Sequence, residues 1–216
     1  MSEKRRSARL AVDIGGTFTD IVLLDGDRRY VAKLLTTPRE PEVAVIEGAR
    51  SVLAKAGLTF GDIGVFVHGT TLATNALIER KGARTALVTT AGFRDVLEMG
   101  YEKRYEHYDL NLELPPPLVP RELRFPVTER MTAKGKIDTP LNEKSFPELI
   151  SQFKKNQIQS VAIGFLHSYV NDAHEKKAGA LLAAALPGLS ITLSSEVCPE
   201  IREYERFSTT TADVIA

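Results

Sequence analysis

The sequence predicts an α/β fold in two parts, residues 1–122 and residues 123–216. In the first part, two short apolar runs at 10–14 and 21–25 are joined by a Gly-Gly turn, a pattern typical of a β-hairpin. In the second part, strand and helix patterns alternate, which is typical of a parallel sheet with right-handed crossovers. We therefore expect an antiparallel beginning and a parallel continuation.

The first part is expected to hold one long helix among its strands. Val45, Ala49, Val52 and Ala56 recur at three- and four-residue spacings, so they predict a helix with one buried stripe that ends at Gly57. The predicted strands of this part are 10–14, 21–25, 30–35, 63–67 and 85–89.

A long loop, residues 100–122, closes the first part. It contains Tyr101, Tyr105, His107 and Tyr108 and several prolines, but no clear hydrophobic period. A loop of this length inside a compact domain is usually functional or disordered. Its tyrosines either line a substrate pocket or anchor the loop on the core, and anchoring is the interpretation we favour.

The second part is expected to be a β-α-β-α-β unit. Ser145 and Glu148 have the spacing of a capping box, and Asn171 is a candidate cap for the next helix. Residues 211–216 are predicted to be helical, with no cap, Gly or Pro to end the helix. The predicted strands are an edge strand at 125–131, a buried strand at 161–166 and a further strand at 191–193.

The composition is that of an ordinary globular protein. Of the 216 residues, 43% are hydrophobic and 26% are charged, with 28 basic residues balanced by 28 acidic ones. This balance gives no overall field that favours nucleic acid or an anionic membrane. The single Cys198 excludes an internal disulfide, and no run reaches the ~20 apolar residues of a membrane span. We expect a cytoplasmic protein that binds neither nucleic acid nor membrane.

The hairpin turn carries a dense set of polar groups, D-I-G-G-T-F-T-D at residues 13–20. Gly15 and Gly16 leave the backbone N–H groups open to a ligand, and the two threonines add hydroxyl groups. Such amides and hydroxyls bind phosphate oxygens, and a nearby carboxylate can hold Mg²⁺ through its water ligands. The alternative is a plain hairpin turn. The string is neither a P-loop nor a dinucleotide-binding fingerprint.

A second polar segment, H-G-T-T-L-A-T-N at residues 68–75, follows a predicted strand. Thr70 or Thr71 can cap the helix expected to begin at Leu72. His68, at a strand end and facing a helix N-terminus, is placed where ligands often bind in α/β folds. From spacing alone, a structural role for His68 is equally supported.

Two isolated residues are better explained by structure than by chemistry. Cys198 lies between Glu196 and Glu200, whose negative charges disfavour a reactive thiolate, so we interpret it as an ordinary thiol. His167 follows a predicted strand but has no partner motif nearby. The charged run 200–206 is open to two interpretations, a functional segment or a solvated helix face.

Three segments carry a resemblance to known proteins. DIGGTFTD resembles the first phosphate loop of the actin-like ATPase superfamily, and its full form is similar to that of the hydantoinase A / 5-oxoprolinase family. HGTTLATNALIERKGARTALVTTAGFRD, which starts at His68, and residues 194–210 resemble two further blocks of that family. The resemblance implies an actin-like (ribonuclease H-like) amino-terminal lobe followed by a second β-α-β subdomain.

The resemblance implies ATP-dependent opening of a cyclic amide, such as a hydantoin or 5-oxoproline, with Mg²⁺ as the metal. Asp13, His68 and Thr70 are then the expected catalytic residues, all on one side of the sheet, and Asp13 is also the expected metal ligand. The expected nucleotide-binding residues are Gly15, Gly16, Thr17, Thr19, Asp20, Thr71 and Asn75.

The family's second phosphate loop lies in a later domain, and this chain contains no second D-x-G-G-T. The resemblance therefore implies one lobe of a two-lobed site, in a fragment or an amino-terminal subunit. Its expected partners are the remainder of the hydantoinase A region and a hydantoinase B-type subunit. Three alternatives stay open: an acetone-carboxylase-type carbonyl-activating subunit, a small-molecule kinase of the same superfamily, and a non-catalytic truncated subunit.

Overall fold

A computed structural model describes residues 8–37, 40–102, 106, 108–111 and 113–215. Within these residues, no helix is long and apolar enough to cross a membrane. The chain divides into two compact units, Met1–Ile78 and Glu79–Ala216. This division differs from the expected boundary after residue 122, because the strand Thr85–Thr90 pairs with later strands. The predicted α/β class is confirmed, with a separate four-stranded sheet in each unit.

The first unit is a mixed sheet with one long helix on one face. Its sheet has the order β3-β2-β1-β4, in which β1 pairs antiparallel with β2 and parallel with β4. A 3₁₀ turn at Phe60–Asp62 precedes the last strand. The elements are β1 (Ala8–Ile14), β2 (Phe18–Asp25), β3 (Arg28–Leu35), α1 (Pro41–Ala56), β4 (Ile63–Thr70) and α2 (Leu72–Glu79).

The core of the first unit lies between α1 and the sheet. Ala49 and Val52, two members of the predicted helical stripe, are buried there against strand residues such as Ile21. Gly48 permits this close packing, since a Cβ at that position would lie 2.0 Å from the Cδ1 atom of Ile21. The helix ends at Gly57 in the left-handed conformation, as the sequence predicts.

The second unit contains a fully parallel sheet with the order β10-β9-β5-β6. Apolar side chains fill both of its faces, with α4 and α5 contributing to one core and α7 to the other. The elements are β5 (Thr85–Thr90), α3 (Val96–Met99), β6 (Arg124–Val127), β7 (Arg130–Met131), β8 (Ile137–Thr139), α4 (Phe146–Lys155), β9 (Ser160–Gly164), α5 (Ala173–Ala185), β10 (Ser190–Leu193), α6 (Ser194–Val197) and α7 (Glu203–Ile215).

Several local predictions in the second unit need correction. The expected edge strand 125–131 is two strands in two sheets, β6 beside β5 and β7 in a small hairpin with β8. Ser145 makes no capping hydrogen bond to α4, because its hydroxyl donates to the Asn142 carbonyl instead. Asn171 does bond the start of α5, accepting from the N–H of Ala173 at 3.0 Å, although Asp172 is the N-cap residue.

The loop 100–122 is only partly described, and Tyr105 and His107 lie outside the described residues. Tyr101 packs edge-on against Tyr204 and donates a hydrogen bond to Glu205 at 3.0 Å. Tyr108, in contrast, is 93% exposed. The anchoring interpretation therefore fits Tyr101 and does not fit Tyr108.

Candidate functional site

The turn between β1 and β2 has a backbone that admits only glycine without adjustment. The N–H of Gly15 donates to the Phe18 carbonyl at 2.9 Å, and a Cβ on Gly15 would lie 3.0 Å from that oxygen. A Cβ on Gly16 would lie 2.9 Å from the Asn75 side-chain nitrogen. The two glycines therefore close the turn and let the start of α2 approach it.

A residue that the sequence analysis did not single out, Thr36, holds this turn from the end of β3. Its hydroxyl donates to the Gly15 carbonyl at 2.8 Å, and its N–H donates to the Thr17 carbonyl at 2.9 Å. The Thr19 hydroxyl, which is fully buried, bonds the Thr36 hydroxyl at 3.0 Å. Thr19 therefore supports the turn from below, which corrects the expectation that it contacts phosphate.

The outer side of the turn presents unused donors. The N–H groups of Gly16 and Thr17 donate to no acceptor within the described part of the chain. Both residues are exposed, and the Thr17 hydroxyl has no hydrogen bond to a described residue. Two adjacent open amides and a hydroxyl form a concave donor group of the kind that binds phosphate oxygens.

Asp13 lies beside this donor group, in a row of residues that crosses the sheet. The strand registers align Gly69, Asp13, Asp20 and Lys33 on the face opposite α1. A Cβ on Gly69 would lie 3.4 Å from an Asp13 oxygen, so Gly69 leaves the Asp13 carboxylate room. Lys33 bonds both Asp20 oxygens at 2.9 Å, whereas Asp13 has no ion pair with a described residue. Asp20 is therefore neutralised locally, and Asp13 carries the available negative charge.

His68 and Thr70 do not share this face with Asp13, which corrects the expectation of a common cleft. The parallel register pairs His68 with Val12 and Thr70 with Ile14, whose side chains are buried on the α1 face. Side chains alternate along a strand, so both residues point away from the Asp13 face. The His68 ring stacks with Phe66 at 6.3 Å, and the Thr70 hydroxyl accepts from the Leu72 N–H at 3.2 Å. Thr70 is thus a helix cap, as one sequence interpretation predicts.

Thr71 and Asn75 do meet the glycine turn. The N–H of Thr71 donates to the Ile14 carbonyl at 3.1 Å, which ties the start of α2 to the end of β1. The Asn75 amide donates to the Thr71 hydroxyl at 3.3 Å and also lies above Gly16. The group that the fold brings together therefore consists of Asp13, Gly15, Gly16, Thr17, Thr71 and Asn75.

The donor set fits a water-held Mg²⁺ better than a metal held by protein alone. Within the described residues, no group of three or more His, Cys, Asp or Glu side chains could hold a metal ion. Mg²⁺ commonly keeps several waters and uses one or two carboxylates together with phosphate oxygens of a nucleotide. Asp13 supplies one such carboxylate next to the open amides of the turn.

The second unit holds a buried polar network that sequence reasoning missed. The fully buried Glu175 accepts from the Phe165 N–H, the Ser195 N–H and the hydroxyls of Ser194 and Ser195, at 2.6–2.9 Å. Arg206 is also fully buried and donates to the Ser194 hydroxyl at 3.1 Å. Burial lowers the pKa of Arg206, and the negative charge of Glu175 opposes that shift.

The structure also describes three other candidates in the second unit, the charged run 200–206, Cys198 and His167. Because Arg206 is buried, the run 200–206 is not simply a solvated helix face. Cys198 is a free, partly buried thiol, as expected. His167 adopts a left-handed backbone with φ of 57°, and its Nδ1 atom is buried without a hydrogen-bond partner among the described residues.

Two solved structures are similar in fold to nearly the whole of this chain. The ATP-dependent caprolactamase of Pseudomonas jessenii matches with a TM-score of 0.83 and 36% identity, over 96% of this chain and 31% of that chain. The nucleotide-free structure of acetone carboxylase matches with a TM-score of 0.84 and 26% identity, over 96% of this chain and 32% of that chain. These matches extend over both units.

The chain belongs to the hydantoinase/oxoprolinase N-terminal region family, whose model matches residues 9–186. Among full sequences, it is 42% identical to the uncharacterized protein MJ0964 of Methanocaldococcus jannaschii, over 94% of this chain and 30% of that protein. It is 37% identical to caprolactamase subunit alpha of Pseudomonas jessenii, over 95% of this chain and 31% of that subunit. The chain thus spans about a third of the length of these relatives.

Proposed function

We propose that this chain is the amino-terminal part of an ATP-dependent enzyme that opens a cyclic amide, and that its glycine turn binds the nucleotide phosphates. The observation that carries this proposal is the turn itself. Thr36 fixes it from behind, and Gly16 and Thr17 offer amides that donate to no described residue. Asp13, which has no ion pair with a described residue, lies beside them. The family description and the name of the caprolactamase, an enzyme named for a lactam, support the substrate class.

The proposed reaction overcomes the poor electrophilicity of an amide carbonyl. The carbonyl oxygen attacks the γ-phosphorus of ATP, the bond between that phosphorus and the β–γ bridging oxygen breaks, and ADP leaves. Water then adds to the activated carbon and loses a proton. Cleavage of the ring C–N bond, with a proton passing to the ring nitrogen, then gives an acyl phosphate. A second water hydrolyses this acyl phosphate to a carboxylate and inorganic phosphate, which completes the hydrolysis to an amino acid. Phosphoryl transfer of this kind depends mainly on positioning and on neutralisation of charge.

Each residue of the turn has a role suited to its geometry. The amides of Gly16 and Thr17 and the Thr17 hydroxyl hold phosphate oxygens, and Asp13 binds Mg²⁺ through water. Asn75, whose amide lies above Gly16, donates from the α2 side. Asp20 keeps Lys33 in place next to the turn. We give His68 and Thr70 no catalytic role, because they point to the other face of the sheet.

The test measures release of inorganic phosphate by the full-length protein supplied with ATP and Mg²⁺. We expect hydantoin, 5-oxoproline or caprolactam to stimulate release, and Asp13→Asn to abolish it. Asp27→Asn is the matched control, since Asp27 is an exposed aspartate in the next hairpin turn of the same sheet. Full activity of Asp13→Asn, or equal losses in the two variants, would contradict the proposed role of the turn.

The likeness to acetone carboxylase favours a second candidate, activation of a ketone or of bicarbonate for carboxylation. In that case phosphate release requires a ketone together with bicarbonate, and lactams have no effect. Two further outcomes identify the remaining alternatives. A small-molecule kinase forms ADP and a stable phosphorylated product, and a non-catalytic subunit consumes no ATP with any substrate.

A further inference from the structure

The strand β4 forms one edge of the first sheet and is unusually open. Beyond its pairing with β1, it pairs with no other strand of the described residues. Every residue from 64 to 70 is exposed, including Val65 at 45%, Phe66 at 55% and Val67 at 52%. Consecutive side chains point to opposite faces, so both faces of β4 are apolar and open. Parallel strands that are buried on both faces have continuous apolar sequences of this kind. The sequence of β4 is therefore typical of a strand that other elements cover.

The opposite edge of the same sheet, β3, is built differently. Its exposed positions include Arg28, Arg29 and Lys33, and its remaining residues alternate between exposed and half-buried. Charged side chains, lysine above all, discourage an edge strand from pairing with another chain. The sequence I-G-V-F-V-H-G-T of β4 contains no Lys, Arg, Asp or Glu. The sheet therefore protects one edge and leaves the other able to pair.

An apolar groove lies beside the first half of β4, at Ile63 and Phe66, on the face that carries α1. It has a volume of about 420 Å³, and its most exposed lining residues are Ile46, Phe60 and Phe66. The helix α2, which follows β4, buries none of its side chains. A contiguous apolar surface of this kind marks a site of interaction.

We propose that the open edge of β4 pairs with a β-strand from the carboxyl-terminal remainder of a hydantoinase A-type polypeptide, and that the same polypeptide fills the groove. The segment that this chain matches makes up only 30–31% of the length of two relatives. Each of these relatives therefore carries a large additional polypeptide. The last residues of β4, Gly69 and Thr70, pair with Asp13 and Ile14. An added strand therefore extends the sheet right beside the candidate phosphate turn.

Hydrogen exchange tests this pairing without relying on the proposed chemistry. The probe is a chimera in which this chain replaces the matched segment of the Pseudomonas jessenii caprolactamase subunit alpha. Peptides covering 64–69 are expected to exchange at least ~10-fold more slowly in the chimera than in the isolated chain, because outward amides gain partners. Peptides of β3 serve as the internal control and are expected to exchange alike in both proteins.

A pair of matched substitutions gives a second readout. Val67→Lys in β4 is expected to lower the melting temperature of the chimera and to leave that of the isolated chain unchanged. Val31→Lys in β3, at a position 49% exposed, is the control and is expected to leave both melting temperatures unchanged. Equal effects of the two substitutions in the chimera would overturn the proposal.

Other outcomes of the exchange experiment are equally decisive. Unprotected β4 amides in the chimera would overturn the proposal, as would amides already protected in the isolated chain. Protection that rises with the concentration of the isolated chain would identify a second copy as the occupant. If the chimera does not fold, the same exchange experiment is done on the intact caprolactamase subunit, at the strand that corresponds to β4. Rapid exchange of the amides of that strand would refute the pairing. None of these results depends on ATP or on any substrate.

Discussion

At the scale of single residues, the shape of the candidate site depends on Thr36 as well as on the glycines of the D-x-G-G-T string. Its hydroxyl donates to the Gly15 carbonyl and its N–H donates to the Thr17 carbonyl, and its hydroxyl also bonds the buried Thr19 hydroxyl. Buried polar groups that lose their partner cost free energy, whereas exposed ones turn to water. The turn's geometry therefore depends on a side chain about twenty residues further along the chain.

Replacement of Thr36 by valine tests this dependence. Thr36→Val keeps the shape of the side chain but leaves the Thr19 hydroxyl without its partner, so we expect the free energy of unfolding to fall by about 1–3 kcal/mol. We also expect weaker ATP binding by the full-length protein, because the turn loses its support. Thr36→Ser, which keeps the hydroxyl, should restore most of both quantities. Denaturant unfolding and nucleotide titration measure the two effects, and unchanged ATP affinity in Thr36→Val would refute the link.

Gly16 offers a second test at this scale. Gly16→Ala places a Cβ 2.9 Å from the Asn75 side-chain nitrogen, so either the turn or Asn75 must move. We expect Gly16→Ala to reduce the ATP affinity. Adding Asn75→Ala to this variant should reduce the affinity less than Asn75→Ala does in the wild-type chain, because it also removes the clash. A double-mutant cycle on nucleotide affinity measures this coupling. Strictly additive effects would mean that Asn75 does not approach the turn in solution.

At the scale of elements, the sequence predicted the types of structure better than their connections. The hairpin, the long helix ending at Gly57 and the buried strands follow from local patterns of turns and apolar spacing. The pairing of β5 with β6 and β9 joins residues that are far apart in sequence, so no local pattern predicts it. Because of this pairing, β5 belongs to the second unit, and the first unit ends at Ile78.

The candidate site was predictable to a similar degree. The glycines and Asp13 belong to a recognisable string, but the faces of β4 depend on its register and length. The strand continues through Thr70, three residues beyond the predicted end, and the register then assigns His68 and Asp13 to opposite faces. Thr36 left no signal, because a single threonine at a strand end has no characteristic spacing.

The buried network of the second unit joins α5, α6 and α7 to Phe165, the residue that follows β9, and it allows a prediction about stability. Glu175→Ala removes a carboxylate that accepts four hydrogen bonds and that supplies the largest negative charge acting on the buried Arg206. Breaking a buried charge network in this way costs about 3–5 kcal/mol. Glu196→Ala, at an exposed position of α6, is the control and should be nearly neutral. Similar unfolding free energies for the two variants would contradict the structural role of Glu175.

At the scale of the whole molecule, the chain offers one candidate phosphate turn and spans about a third of the length of its relatives. The open face of the turn leaves bound phosphates in contact with water, where charge interactions are strongly screened. Its proposed donors are the amides of Gly16 and Thr17, the Thr17 hydroxyl and the Asn75 side-chain amide, which are few for a triphosphate.

We therefore expect the isolated chain to bind ATP weakly and to hydrolyse no hydantoin, 5-oxoproline or caprolactam. Loss of one preorganised donor can raise a reaction barrier by ~3 kcal/mol, and in the proposed two-lobed site the second lobe supplies several donors. The measurement is phosphate release by the isolated chain and by the chimera with caprolactamase subunit alpha, each with and without lactam. Turnover in the chimera that Asp13→Asn abolishes would place the essential half of the phosphate chemistry on this chain. Lactam-stimulated release by the isolated chain would instead mean that one lobe holds a complete site, and the two-lobed interpretation would have to be abandoned.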